Sequence, residues 1–365
     1  MSGKMTISLA QLFAMIMLFE FGTALVVPIG LTAEQGVWLS ILIALPGGLL
    51  LYGVYMYLFR EYPQLILSGY MRKIVGPFLA FPISYLFILS FMYIAARNLR
   101  EAGDLLITTS YDQTPLFVIH AVFAVPVIYV LSKGVEVFFR LGEIYILVML
   151  SLGAIGYCAA LFSGEINMSN LLPIYGEGWG SILQAAYPKI LAFPFAELAT
   201  FTVILPLLNN KRKAAKVGSA AIMASGILLS MTHALNIAVL GADIYGRASF
   251  PLFTTVSVVH IGEFLQRLDA IVMLTLIIGV FFKMTLYCYA ASALVGDLFK
   301  VSDVRKLSYP IVTVVLFMSV LSAWSYPEHA EEGEISLYII LILFAAVPIV
   351  LAAVHRVRKT LQPKG

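Results

Sequence analysis

The sequence predicts an all-α integral membrane protein of ten transmembrane helices, arranged as two inverted five-helix repeats with breaks in helices one and six. Three observations carry that expectation: an apolar composition, basic residues that alternate in density from loop to loop, and glycine or proline interruptions at corresponding places in two halves. Hydrophobic residues make up 61% of the 365 and charged residues 12%, against roughly 45–50% and about 25% in soluble domains. A soluble fold of this length has too little interior to hide that much apolar surface. A net charge of +3 provides no dense basic stripe for phosphates, which excludes a nucleic-acid binder. Cys158 and Cys288 sit in apolar runs and offer neither a disulfide framework nor a zinc spacing.

Stretches of about 20 apolar residues are candidate spans. They fall near 6–30, 37–58, 77–108, 114–132, 136–163, 184–208, 215–240, 269–297, 308–325 and 335–354. The run 77–108 is long enough to require tilt or an end in water. Basic residues test the count. With the N-terminus inside, Lys4, Arg60, Arg72, Lys73, Lys133 and Arg140 fall on inner segments. So do the 211–216 cluster, Lys300, Arg305, Lys306 and the basic tail through Lys364, while Arg247 and Arg267 alone fall outside. That bias places both termini in the cytoplasm. Lys4, an apolar run and Gly22-Thr23-Ala24 imitate a signal peptide. Glu20 and Phe21 spoil the cleavage region, and apolar character resumes through Leu25–Leu31, so a retained first helix is expected. The chain reads as one transmembrane domain over 1–365, with one repeat over about 6–163 and the other over about 184–354.

Backbone interruptions in lipid need a reason. Helix one reads Glu20-Phe21-Gly22-Thr23-Ala24-Leu25-Val26-Val27-Pro28, and helix six reads Leu191-Ala192-Phe193-Pro194-Phe195-Ala196-Glu197. Single prolines elsewhere, such as Pro82, Pro126, Pro206 and Pro348, are ordinary kinks. Matching breaks at the heads of two halves point instead to a substrate site at the bilayer midplane. There freed N–H groups meet an anion and freed carbonyls meet an ammonium group or a cation. Gly22, Thr23, Ala24, Phe193, Phe195 and Glu197 are therefore the candidate binding residues.

Ionisable residues at mid-membrane depth cost at least ~2.5–3.5 kcal/mol each and are functional candidates by default. Glu20, Glu197 and Lys283 fall near the bilayer centre, where a lysine can neutralise one or both carboxylates or stand as a tethered ammonium. Structural pairing and ligand or proton coupling remain equal alternatives. Arg97 pairs in principle with Glu101, and Arg100 with Asp104, each at i,i+4. A solvated vestibule wall explains this group, with Arg97, the deepest, as the candidate to face the permeation path or Glu197. Glu143 and Lys189 lie nearer the interfaces, where snorkelling accounts for them.

No catalytic or metal-binding pattern is present, and no cofactor is implied. His120, His233, His260, His329 and His355 are scattered, with no H-E-x-x-H pair and no nucleotide-binding loop. The outer segment 241–268 has loose helical periodicity from Phe253 through Phe264, which fits an amphipathic lid or a docking surface. Arg72-Lys73 and Arg305-Lys306 are expected among lipid headgroups on the inner side.

The run Arg267-x-Asp269, followed by Ile277-Ile278-Gly279-Val280-Phe281-Phe282-Lys283-x-x-Leu286-Tyr287-x-Tyr289-Ala290, resembles the helix-eight signature of spore-germination permeases. These are the B subunits of germinant receptors. Leu172-Pro173 with Gly176-x-Gly178, Phe250-Pro251, and the Gly22-to-Pro28 spacing agree, and the resemblance covers essentially the whole chain. It implies a LeuT-like fold of the amino acid–polyamine–organocation transporter superfamily. It also implies a small germinant, typically an amino acid, bound within a complex with A and C subunits in the spore inner membrane. A proton- or sodium-coupled amino acid transporter is the alternative. The pattern departs at the helix-one turn, which has Gly22 alone where such transporters carry a glycine-rich stretch.

Overall fold

The computed structural model describes residues 6–175, 178–259 and 268–361. Lys4, Gly176, His260, Phe264, Arg267 and Lys364 lie outside the described residues. Among the described residues the chain is helical and forms no strand. Eight helical stretches among them are long and apolar enough to cross a membrane. Two further spans are broken, which completes the ten.

Helix α1 (Leu9–Phe21) starts at a reciprocal cap: Gln11 N–H donates to Ser8 Oγ at 3.1 Å, and Ser8 N–H donates to Gln11 Oε1 at 2.9 Å. It stops at Gly22, whose φ of +26° leaves the helical region. One turn, with Leu25 N–H bonded to Phe21 O and Val27 N–H to Thr23 O, is all the helix that follows before Gly30. The first span is thus helical over half its expected length. A 3-10 segment (Leu31–Gly36) leads into α2 (Val37–Glu61).

The expected inner loop 60–76 contains a short helix, α3 (Leu67–Val75), with Arg72 and Lys73 in its last turn. Arg72 is not free for headgroups. It reaches Asp297 at 2.7 Å, and Ser68 Oγ donates to the same carboxylate at 2.5 Å. Arg305 likewise turns back on Asp303 at 3.0 Å. Gly76 and Gly134, with φ of +82° and +102°, make the tight turns into α4 (Pro77–Thr109) and from α5 (Leu116–Lys133) into α6 (Val135–Ser163).

The sixth span begins at α7 (Trp179–Gln184), earlier than expected, and continues through a π segment (Ala185–Ile190). It breaks at Phe193–Pro194 and resumes as a tight 3-10 helix (Phe195–Val203) in which every residue is buried. Helix α8 (Ala214–Arg247) carries an interruption at Gly241, φ +75°. Helix α9 (Pro251–Val258) packs on α8 and α10 (Asp269–Phe299). With the end of α8 it makes up most of the described part of the expected outer segment 241–268. Helix α11 (Ser308–Leu321) is followed by α12 (Tyr326–Ile340), a π segment (Leu341–Ala346) and α13 (Val347–Leu361).

The tenth span therefore starts nine residues before the expected 335. The stretch Glu328–Glu334 is rich in charge and reads as a loop. Ser325 caps it by accepting from Glu328 N–H at 3.4 Å, and Pro327 occupies the first turn, where its missing N–H costs nothing.

The two halves interlock through the broken spans. Ile7 N–H donates to Leu207 O and Asn209 N–H to Ile7 O, both at 3.0 Å, so the start of span one lies against the end of span six. Helix α1 is held among α8, α6 and α10, and α10 packs along α4. Both interruptions thereby face each other in the interior.

Candidate functional site

At the meeting of the two breaks, Lys283 of α10 extends past Gly22 and places Nζ 2.6 Å from Glu197 Oε2, with the two side chains 0% and 1% exposed. Glycine at 22 is a steric requirement, because a Cβ there would lie 2.5 Å from Lys283 Cδ and 2.9 Å from Phe19 O. Gly279, one turn earlier on α10, lets the helix touch the Gly22 carbonyl. The ammonium is further flanked by the Phe193 and Phe19 rings, with centroids 4.3 and 5.5 Å away. Glu197, not Glu20, is the partner of Lys283. Glu20 is fully buried on α1, and neither of its oxygens has a hydrogen-bond partner.

Above this pair lies a cavity of about 200 Å³. Thr23, Phe193, Glu197 and Arg97, four of the residues singled out from the sequence, line it. Gly22 is occupied by packing against Lys283. Phe195 is buried against α2, where a Cβ on Gly48 would approach its Cγ to 2.8 Å. Ala24 is buried too, and its carbonyl accepts from His233 Nε2 at 2.9 Å. The Tyr245 hydroxyl sits 2.8 Å from His233 Nδ1 and 3.2 Å from Ile29 N. Because the Ala24 carbonyl only accepts, His233 carries its proton on Nε2 and takes the Tyr245 O–H at Nδ1. Helix α8 thus holds the unwound half of span one.

The charges of α4 are not a solvated wall, since Arg97, Arg100 and Asp104 are each at most 8% exposed. Arg100 Nε bonds both Asp104 oxygens, at 3.0 and 2.8 Å, and its Nη1 donates to Ala323 O at 2.6 Å. The companion pair Arg97–Glu101 does not form. Arg97 Nη2 donates to His329 O at 2.9 Å, and Nη1 lies 3.9 Å from Glu332. Glu101 Oε1 instead lies 3.6 Å from His329 Nε2. Lys189 meets Glu334 at 2.7 Å, and Glu143 accepts from Gln11 at 3.2 Å. Both make specific contacts that snorkelling does not describe.

Asn98, Glu101, Tyr326, His329 and Glu334 also line the cavity. The last three were not legible, because they sit in a stretch that reads as loop and enter the site only when it becomes α12. Glu101 had a signal, its i,i+4 relation to Arg97, which pointed to the wrong partner.

The sequence profile of the family described as "Spore germination protein" matches residues 6–326. The chain is 37% identical over 366 aligned residues to spore germination protein KB of Bacillus subtilis (strain 168), covering 99% of this chain and 98% of that one. It is 22% identical to spore germination protein XB of Bacillus anthracis, over 70% and 69% of the two chains.

Among solved structures it resembles MHP1, a nucleobase-cation-symport-1 family transporter, in a closed conformation with bromovinylhydantoin bound. The TM-score is 0.67 at 12% identity, over 96% of this chain and 78% of that one. MhsT in complex with L-phenylalanine gives 0.64 at 12% identity, over 94% and 97%. The fold is that of the LeuT-like transporters, and these relatives and neighbours are germination proteins and transporters, not enzymes. Ten apolar spans, two of them broken where they meet, and a match along nearly the whole chain lead to one conclusion: this multipass membrane protein belongs to the spore germination protein family, the spore permeases.

Proposed function

We propose that this chain is the membrane-embedded subunit of a nutrient germinant receptor, binding a small germinant of amino-acid type in the cavity between its two breaks. Occupancy triggers germination through A and C partner subunits. The observation that carries the reading is the buried Lys283–Glu197 pair. It ties α10 to the broken sixth span and presses on the break of the first, at the floor of the cavity that Thr23, Phe193 and Arg97 line. A ligand seated there contacts both spans at once and biases the relative position of the two halves, which is what a signal to neighbouring subunits requires. Glu20, Glu197 and Lys283 are the coupling groups. Gly22 and Ala24 serve the site through backbone shape, and Phe195 through packing. Both termini lie in the cytoplasm, on the basic-residue bias, and the membrane is the spore inner membrane.

The second reading, a proton- or sodium-coupled amino acid transporter, is favoured by one observation: the fold neighbours are transporters. Uptake separates the two. Purified protein in vesicles is tested for accumulation of labelled amino acids under proton and sodium gradients, beside ligand-dependent thermal stabilisation of the same preparation. Stabilisation without accumulation supports the receptor reading, and accumulation overturns it in favour of the carrier.

A further inference from the structure

Of the four charged groups lining the cavity, two are already taken by lysines: Glu197 by Lys283 at 2.6 Å and Glu334 by Lys189 at 2.7 Å. The other two, Arg97 and Glu101, one turn apart on α4 and of opposite sign, are not bonded to each other and hold only longer contacts, Arg97 Nη1 3.9 Å from Glu332 and Glu101 Oε1 3.6 Å from His329 Nε2. At those lengths neither contact is a hydrogen bond, and Arg97 Nη1, Glu101 Oε2 and both ring nitrogens of His329 are buried without one. Buried donors and acceptors without a hydrogen bond are expensive, and here they converge on one cavity.

We infer that Arg97 and Glu101 form a zwitterion clamp: Arg97 receives the α-carboxylate of a free amino acid, and Glu101, with His329 beside it, receives the α-ammonium. This rests on the amino-acid reading above and specifies it. The spacing fits. The ammonium nitrogen and carboxylate carbon of an α-amino acid are about 2.5 Å apart. Adding a charge-assisted hydrogen bond of about 2.8 Å at each end spans two long side chains whose Cβ atoms stand roughly 5–6 Å apart on one helix face.

Guanidinium suits a carboxylate because its parallel N–H groups engage both oxygens. One of them, Nη2, is held on the His329 carbonyl, which orients the fork. Val27, Phe193 and Ile340 supply an apolar wall for the side chain. Recognition of the zwitterion is thereby assigned to α4 and α12 rather than to the freed N–H groups of span one.

The clamp is tested with the purified full-length protein by thermal stabilisation and titration. The twenty L-amino acids are used first, then the N-acetyl and carboxamide derivatives of those that bind. Loss of either ligand charge should weaken binding by about 10- to 100-fold, the range for hydrogen bonds to charged groups. Arg97→Gln should weaken the free amino acid by the same factor yet leave the carboxamide unaffected. Glu101→Gln should do so for the free acid yet leave the N-acetyl derivative unaffected. Arg97→Lys, which keeps the charge and guards against a folding defect, should retain the preference for a carboxylate. Equal binding of acid, amide and acetyl forms, or variants that lower all three alike, would overturn the clamp while leaving an amino-acid site in place. Stabilisation by none of the twenty overturns the clamp and the amino-acid reading together.

Discussion

Lys283 Nζ lies 2.6 Å from Glu197 Oε2 while Glu20, fully buried on the neighbouring span, pairs with nothing. The two carboxylates look alike in sequence, and the structure makes them unequal. Glu197→Gln strands an ammonium in the interior, and breaking a buried pair from one side costs about 3–5 kcal/mol. Glu20→Gln breaks no ion pair and should cost less stability than Glu197→Gln. Thermal unfolding of the purified variants compares them directly. Equal losses would remove the special standing of Glu197.

Lys283→Met should also be destabilising, because Glu197 is then uncompensated. The double variant Glu197→Leu with Lys283→Met should recover most of the loss, since apolar replacement of a whole buried pair is often neutral or better. A double-mutant cycle measures the coupling. Additive losses would mean that the pair is not an energetic unit.

Gly279→Ala reverses the sign that helix propensity assigns. In an exposed helix interior, alanine gains about 1 kcal/mol over glycine. Here the new Cβ collides with the backbone carbonyl of Gly22, which cannot rotate away, and overpacking of that kind costs typically 1–3 kcal/mol. Gly53→Ala, with nothing within 4 Å of its Cβ, should be neutral or stabilising. Unfolding temperatures of the two variants side by side decide the point.

Tyr245→Phe should loosen the unwound half of span one. It leaves His233 Nδ1 and the Ile29 backbone without their partner, and stranding such buried groups costs roughly 1–3 kcal/mol. Hydrogen exchange over residues 22–30 is the measurement, with faster exchange expected there and no change along α4. Uniform acceleration across the protein would show a global rather than a local effect.

Asp297→Asn should free α3 from α10. The carboxylate holds Arg72 at 2.7 Å and accepts from Ser68 at 2.5 Å, and part of that attraction is charge-assisted. Spin labels on α3 and α10 should report a broader distance distribution, with little change in overall stability because the pair is partly exposed. An unchanged distribution would show that apolar packing alone fixes α3.

The amino-acid sequence by itself determined the bilayer setting, the ten spans and the two breaks, because each is a one-dimensional signal. Apolar runs measure the membrane, and Gly22 and Pro194 interrupt helices wherever the spans end up in space. It also singled out Glu20, Glu197 and Lys283 by depth. Tertiary structure decided which of them meet, since that depends on helix rotation and on the steric gap at Gly22 and Gly279, neither of which a spacing encodes. It decided as well that Arg97 turns from Glu101 toward α12, and that His329 and Glu334 belong to the cavity at all. A charged stretch with a proline reads as loop. It becomes helix only because Ser325 caps it and neighbouring spans supply partners for its charges, Arg97 and Lys189.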